Sequence, residues 1–276
     1  MSTVLCFSSQ VARGFVGGSA TRLALEHQGH ECWLLPTVVL SNHPGHERFA
    51  GEQVPVGRLR AMFEALQANG WLADVDALVL GYMPSTEHVT YVAGAVEQAR
   101  KDNPNLICLC DPIIGDDPGG LYVDEDIASA IRGELLPIAD ITTPNRFELE
   151  WLAGKSAKVA KTAKAVSASL GPKSVLVTSL TGKDPQSLVN LLTSDKETSV
   201  TTVSKRKFAP HGAGDLMAAL YLSNLLSGKT PAEALGYATG GVEEALEESD
   251  GSDELRLCGT QSWVNAEAWP VEKSGS

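Results

Sequence analysis

The sequence predicts an α/β fold in which a central, mostly parallel sheet is flanked by helices, with residues 1–276 forming a single domain. Three observations carry that prediction. Short apolar runs such as Val4 to Phe7 and Ala77 to Leu80 are bounded by Gly, Pro and polar residues, as strands buried on both faces are. Stretches with apolar residues at three- and four-residue spacing follow them, as amphipathic helices do. Gly14, Gly17 and Gly18 lie between the first run and the first such stretch, giving the strand, turn and helix that open an α/β chain.

Composition narrows the class. With 276 residues, 43% of them hydrophobic, the chain can bury a sizeable core, and no low-complexity linker or internal repeat divides it. The 22 basic against 34 acidic residues leave a net charge of −12, which speaks against a nucleic-acid partner. No apolar run approaches the roughly 20 residues of a membrane span, and the first residues lack the basic and apolar segments of a leader. A cytoplasmic protein with no membrane partner is expected. Five cysteines, an odd number, fit a reducing compartment better than a disulfide framework. Cys108 and Cys110 alternate along a strand and should share one buried face.

In chain order, Val4 to Phe7 is a strand that delivers Ser8, Ser9 and Gln10 at its C-terminal end, and Ser19 to Gln28 is a helix with Ala20, Leu23, Ala24 and His27 along one side. The G-x-x-G-G spacing between them departs from the G-x-G-x-x-G of a dinucleotide site. Glu31 to Val39 is a second strand running into a polar loop, Ser41 to His46, where Pro44 and Gly45 keep His43 and His46 from forming a helical metal pair. Arg58 to Ala68 is a helix with Leu59, Met62, Phe63 and Leu66 inward. Ala77 to Leu80 is a strand, Glu87 to Lys101 a helix, and Leu106 to Cys110 a strand ending at Asp111-Pro112. Gly115 to Gly120 reads as an exposed loop, either a plain turn or, from Asp116 to Tyr122, a mobile cover hinged at Gly115, Gly119 and Gly120. A helix from Asp124 to Gly133 and a short strand from Ala139 to Thr142 follow. Lys155, Lys158, Lys161 and Lys164 make a solvated stripe on the next helix. Ser174 to Thr178, Leu188 to Leu192 and Thr198 to Val203 are strands, and Pro231 to Leu246 is a helix. Glu243 to Glu254, with seven acids, reads as a solvated helix end and turn, Leu255 to Cys258 as an edge strand, and residues 272–276 as frayed.

Most of the chemistry gathers at Pro210 to Leu220. Gly212 and Gly214, with only Ala213 between them, let backbone N–H groups turn toward one point, and the helix that follows adds the positive end of its dipole, so the stretch is an anion site. Asp215 stands at the start of that helix and reads either as its cap or as a base aimed at a hydroxyl. A base beside an anion hole is the arrangement of phosphoryl transfer. Ser9, Thr37, Tyr82 and Asp111 fall where strands stop, and so converge on the sheet edge at which such folds bind ligands. Asn145 and Glu148 read either as a cap with its capping-box partner or as holders of a metal-bound water and a phosphate.

Together these segments resemble the pyridoxal kinases of the ribokinase-like superfamily, from Val4 to about Asn265. Thr37-Val38 with Ser41-Asn42-His43, Cys110-Asp111-Pro112 with Gly115-Asp116, Thr143-Pro144-Asn145 with Phe147-Glu148, and Gly212-Ala213-Gly214-Asp215 carry the likeness, in the family's order. It implies that Asp215 is the base for a 5′-hydroxyl and that Gly212, Ala213 and Gly214 form the anion hole. It implies substrate contacts from Ser9, Thr37, Val38, His43 and Tyr82, and ATP contacts from Asp111, Thr143, Asn145, Glu148 and Thr178 together with Gly212 and Gly214. Asp111, Asp116 and Glu148 are implied near Mg²⁺, with a monovalent cation as a further candidate, and the family implies a homodimer. The sequence departs from the family at Gln10, where many members have His, at Arg13 for Tyr, at Gly18 for Asn and at Ala213 for Thr, and the loop after Asp116 is short. The expected activity is ATP- and Mg²⁺-dependent phosphorylation of pyridoxal. A hydroxymethylpyrimidine kinase is the nearest alternative. A sugar kinase is disfavoured by the short stretch between Gly51 and Arg58, and a non-catalytic vitamer- or phosphate-binding protein has no need of Asp215 with Glu148.

Overall fold

The computed structural model describes residues 1–195, 197–259 and 261–273. The first half runs β1 (Thr3–Val11), α1 (Gly17–His27), β2 (Glu31–Leu40), β3 (Gly51–Gln53), α2 (Val56–Ala68), β4 (Ala77–Leu80), α3 (Thr86–Asp102), β5 (Ile107–Cys110), and a hairpin of β6 (Gly115–Asp116) and β7 (Gly120–Leu121). It continues through α4 (Glu125–Ala130), β8 (Ile141–Thr142), α5 (Arg146–Ala153), α6 (Ala160–Ser167), β9 (Ser174–Thr181), β10 (Ser187–Ser194), β11 (Thr198–Ser204), α7 (Ala213–Leu226), α8 (Pro231–Glu248) and β12 (Glu272–Lys273). The main sheet has the order β12-β11-β10-β9-β8-β5-β4-β1-β2-β3. From β9 to β2 every neighbouring pair is parallel, and β3 and the β10-β11-β12 flank are antiparallel.

Strand periodicity sorts this sheet into two cores. Leu5, Phe7, Leu78, Leu80, Cys108 and Cys110 enter one core with α2 to α6, while Val4, Cys6, Ala77, Val79 and Leu109 enter the other with α1, α7 and α8. Alternate residues of a strand point to opposite faces, so a continuous apolar run is what a strand covered on both sides requires. Cys108 and Cys110 therefore share a buried face as expected, and all five cysteines are free. Leu216 to Leu222 of α7 are buried all round, between the sheet and the flanking α1 and α8. The two sheet edges, β3 and β12, are short and exposed, and their charged residues discourage pairing with another chain. Among the described residues no helix is long and apolar enough to cross a membrane.

Several local expectations change. Met62 is exposed, because α2 packs through Leu59 and Phe63 and leaves the Met62 edge to solvent. The lysine stripe is broken: Gly154 ends α5 in the left-handed region, so Lys155 and Lys158 lie in the connection and only Lys161 and Lys164 lie on α6. The α-helix after Asp124 stops at Ala130 and passes into a π turn, Ile131–Leu135. Leu255 to Cys258 form no strand, yet Leu255 and Leu257 are buried against α7 and α8. Glu272 and Lys273 are not frayed but pair with β11 as β12, and the rest of the tail lies outside the described residues.

Candidate active site

The parallel strands place their C-terminal ends side by side, and the polar residues that follow them meet there. β1 extends past its apolar run, with a bulge between Ser8 and Gln10. Ser8 is buried and its hydroxyl accepts a hydrogen bond from the Tyr82 N–H at 3.3 Å. Thr37, fully buried on β2, donates its hydroxyl to the Tyr82 carbonyl at 2.7 Å. Ser8 and Thr37 thus fix the turn carrying Tyr82 from both sides, while Ser9 stays partly exposed and Val38 is buried. In the sequence Ser8 reads only as a polar residue ending a strand and Gly17 only as one of three turn glycines, neither as a site residue. A side chain at Gly17 would place Cβ 1.9 Å from the Ser9 hydroxyl, so glycine is what lets α1 begin against that serine.

Gly212 caps α7 in the left-handed region with φ +99°, and a Cβ there would lie 2.0 Å from the Phe15 carbonyl oxygen. The cap is therefore Gly212, not Asp215, which sits within the first turn. The nearby Gly17 N–H and the N–H of Asp215 itself favour the charged carboxylate, but burial outweighs them and pushes its pKa up to about 6. Gly212→Ala is expected to lower the melting temperature and cut turnover together. A left-handed alanine costs about 1–3 kcal/mol, and on the expectation that this turn is an anion hole, displacing one of its donors costs roughly 10²–10³ in rate. Thermal unfolding and kcat of the variant check this; a fully active, equally stable protein contradicts it.

Asn145 and Glu148 form the capping box of α5: the Asn145 side chain accepts the Glu148 N–H at 3.0 Å, and Glu148 Oε2 accepts the Asn145 N–H at 2.9 Å. Glu148 does more. Its Oε1 accepts the Ile114 N–H at 2.8 Å and the Gly115 N–H at 3.4 Å, and the Asn145 amide donates to the Gly115 carbonyl at 2.8 Å. The β6–β7 hairpin is thereby tied at its base to the start of α5, and an Arg146–Asp117 ion pair holds its tip. Gly115 is buried rather than free as a hinge, and within residues 115–122 the exposed positions are 117–119 and Tyr122.

Burial pushes the Glu148 pKa up to about 7 against these three N–H bonds, with Asp215 adding repulsion. Asp111, buried at the end of β5, is raised well above the carboxylate range by desolvation and then by Glu148 and Asp215. Three carboxylates within electrostatic reach of one another make a site that favours a cation or a proton. Thr143 lies beside Asp111, and an isolated parallel bridge joins Asn145 to Thr178, whose N–H donates to the Pro144 carbonyl at 3.0 Å. Asp116 lies on the hairpin beside Tyr122, whose hydroxyl also feels the charges of Glu148 and Asp215. Among the described residues no three His, Cys, Asp or Glu side chains are gathered as a direct metal-chelating group. His43 stacks on His211, ring centroids 3.9 Å apart, and burial followed by its histidine neighbours pushes its pKa down to about 4.

Comparison with known proteins identifies the family. Residues 27–256 match the phosphomethylpyrimidine kinase family. The chain is 34% identical over 266 residues to the pyridoxal kinase PdxY of Rubrobacter xylanophilus, covering 94% of this chain and 92% of the relative. It is 30% identical over 259 residues to the pyridoxal kinase PdxY of Corynebacterium diphtheriae, covering 92% of each. The pyridoxal kinase of Leishmania donovani in complex with ADP and pyridoxamine superposes with a TM-score of 0.93 at 28% identity, covering 100% of both chains. The pyridoxal kinase of Entamoeba histolytica superposes with a TM-score of 0.92 at 25% identity, over 99% of this chain and 100% of that one. On this family match and these relatives, the chain belongs to the phosphomethylpyrimidine kinase family, among its pyridoxal kinases.

Proposed function

We infer that the chain transfers the γ-phosphoryl group of ATP to the 5′-hydroxymethyl group of pyridoxal, giving pyridoxal 5′-phosphate as a step of vitamin B6 salvage. The observation that carries this reading is the Asp215 carboxylate in the first turn of α7, directly after the Gly212 turn. Asp215 takes the proton from the 5′-hydroxyl as its oxygen bonds to the γ-phosphorus. The bond from that phosphorus to the β,γ-bridging oxygen breaks, and ADP leaves with the electron pair. The N–H groups of Gly212, Ala213 and Gly214, at the positive end of the α7 dipole, receive the charge on the transferring group. Ser9, Thr37, Val38, His43 and Tyr82 line the vitamer side, with Thr37 acting through the Tyr82 carbonyl it holds. Thr143, Asn145 and Thr178 face the nucleotide.

The acidic cluster fits Mg²⁺. The Thr142 hydroxyl is buried without a hydrogen-bond partner, the Thr143 hydroxyl sits beside Asp111 without a bond of good geometry, and Asp111 is crowded by like charge. Mg²⁺ keeps most of its waters and needs only one or two carboxylates besides substrate phosphates. Asp111 and Thr143 would hold it, with Glu148 adding charge behind, and when bound it neutralises the phosphate oxygens of ATP. A monovalent cation would share that cluster. A cytoplasmic homodimer belongs to the same reading, and a molar mass in solution near the 29.2 kDa of one chain argues against the dimer.

Asp215 sets the pH dependence. Its pKa near 6 means that the base is protonated below that value, so kcat/KM for pyridoxal should fall about tenfold per pH unit below pH 6 and level off above it. A profile flat down to pH 5 contradicts the assignment. The family match leaves hydroxymethylpyrimidine as the second substrate to weigh. ATP consumption with pyridoxal, pyridoxine, pyridoxamine, hydroxymethylpyrimidine and ribose decides between them; the highest kcat/KM is expected for pyridoxal, and a higher value for hydroxymethylpyrimidine overturns the reading.

A further inference from the structure

Outside the transfer site, one buried carboxylate joins three segments that border it. Glu254 Oε1 accepts hydrogen bonds from Arg13 at 2.9 Å and from His46 Nε2 at 2.9 Å. Arg13 belongs to the turn between β1 and α1, and His46 to the loop between β2 and β3. The backbone of Glu254 forms an isolated parallel bridge with His211, the residue before the anion-hole turn. Space is reserved for the carboxylate: Gly14 has φ +92°, and a Cβ there would lie 2.1 Å from Glu254 Oε2. The neighbouring Asp253 also meets Arg13, but that pair is exposed on both sides and stretched to 3.3 Å. Such pairs are worth about 0–1 kcal/mol. The Glu254 side chain is only 11% exposed, so the energy of the network lies with it.

The β2–β3 loop has its own bracing. Asn42 donates to the His43 and Arg48 carbonyls, and the Ser41 and Ala50 backbones meet at 2.7 Å. Braced in this way it moves as a unit, and its side-chain attachments on the Gly212 side are the His43–His211 stack, the His46–Glu254 bond at 2.9 Å and a longer His46–Asp253 contact at 3.9 Å. Removing the carboxylate would release the loop and the Arg13 turn together, next to the residues that face the vitamer.

We propose that Glu254 is a positioning residue for phosphoryl transfer: it holds the loop carrying His43, and the turn carrying Arg13, in register with the anion-hole turn. The proposal rests on the pyridoxal kinase reading above. Glu254 touches neither substrate, and acts through His46, Arg13 and the His211 backbone. It also accounts for Arg13, where the sequence departs from its family: the guanidinium is the partner of a buried acid.

Two measurements test it. In the ligand-free protein, Glu254→Ala should speed hydrogen exchange in residues 41–50 and 211–214 while the strands of the sheet keep their protection. In steady-state kinetics the same variant should raise KM for pyridoxal roughly tenfold or more, the scale of a lost hydrogen bond to a charged group, with KM for ATP changed less than about twofold on that scale. Glu254→Gln, which keeps an acceptor at Oε1, should recover most of both effects. If Glu254→Ala does not fold, Arg13→Ala, at an exposed position, and His46→Ala, at a half-buried one, remove the partners and should give the same selective KM change. Unchanged exchange at 41–50, or equal losses for both substrates with exchange faster throughout, overturns positioning. A wild-type protein that does not turn over pyridoxal overturns the kinase reading instead, and the exchange arm needs no substrate.

Discussion

Asp215→Asn should lower kcat with pyridoxal by about 10²–10⁴, the range of a positioned general base, and leave ATP affinity within a few-fold of wild type. Asn keeps the size of the side chain and an oxygen that accepts the Gly17 N–H, so the start of α7 is preserved. What it loses is the basic, charged carboxylate oxygen that takes the hydroxyl proton, and with it the acid limb of the pH profile near 6. The substitution also removes one of the charges that raise Asp111 and Glu148, so both should ionise at lower pH in the variant. Burst and steady-state phosphoryl transfer, with nucleotide binding measured separately, checks each part. A variant with near-normal kcat would remove Asp215 from the chemistry.

For Glu148→Gln the size of the expected stability loss depends on pH. The wild-type carboxyl has a folded pKa near 7, above the unfolded value of about 4.3. The folded state therefore holds a proton that the unfolded state has lost between those values, and this contribution to stability fades as pH rises through that window. An amide does not titrate, and its NH₂ cannot accept. One of the three N–H groups of Ile114, Gly115 and Asn145 is then orphaned, at a cost of about 1–3 kcal/mol. Glu148→Gln should accordingly be clearly less stable than wild type at pH 5, and the gap should narrow by pH 8, where the wild type bears its buried charge. The concentration of Mg²⁺ needed for half-maximal activity should also rise, since the nucleotide site loses a negative charge. Urea unfolding at the two pH values and an Mg²⁺ titration report these separately; a stability difference independent of pH, with unaltered Mg²⁺ demand, would reduce Glu148 to a helix cap.

Much of this was legible in the residues. Ala77–Leu80 is a strand over the predicted bounds, because a continuous apolar run flanked by polar residues has few other uses in a chain of this kind. The capping box at Asn145 and Glu148 is a local device and was readable locally. The meeting of Thr37 with Tyr82 followed from the rule that parallel strands end on one edge. What escaped depended on contacts distant in sequence. Glu254 looked like one acid among seven on a solvated turn, and its burial depends on Arg13 and His46, more than 200 residues earlier. Ser8 and Gly17 look like ordinary small residues until Tyr82 and Ser9 are set against them. Gly115 reads as a flexible hinge, yet the Glu148 carboxylate pins the strand it begins. β12 is two charged residues that gain their conformation from β11 alone.

The account stands or falls on where the phosphoryl group goes. Transfer from γ-labelled ATP in the presence of equal pyridoxal and hydroxymethylpyrimidine, with the products separated and the phosphate position assigned by phosphorus–proton coupling, reads this directly. Label on the 5′-oxygen of pyridoxal with the wild type, and its near absence with Asp215→Asn, is the expected result. Label mainly on hydroxymethylpyrimidine, or only in inorganic phosphate, would contradict the account.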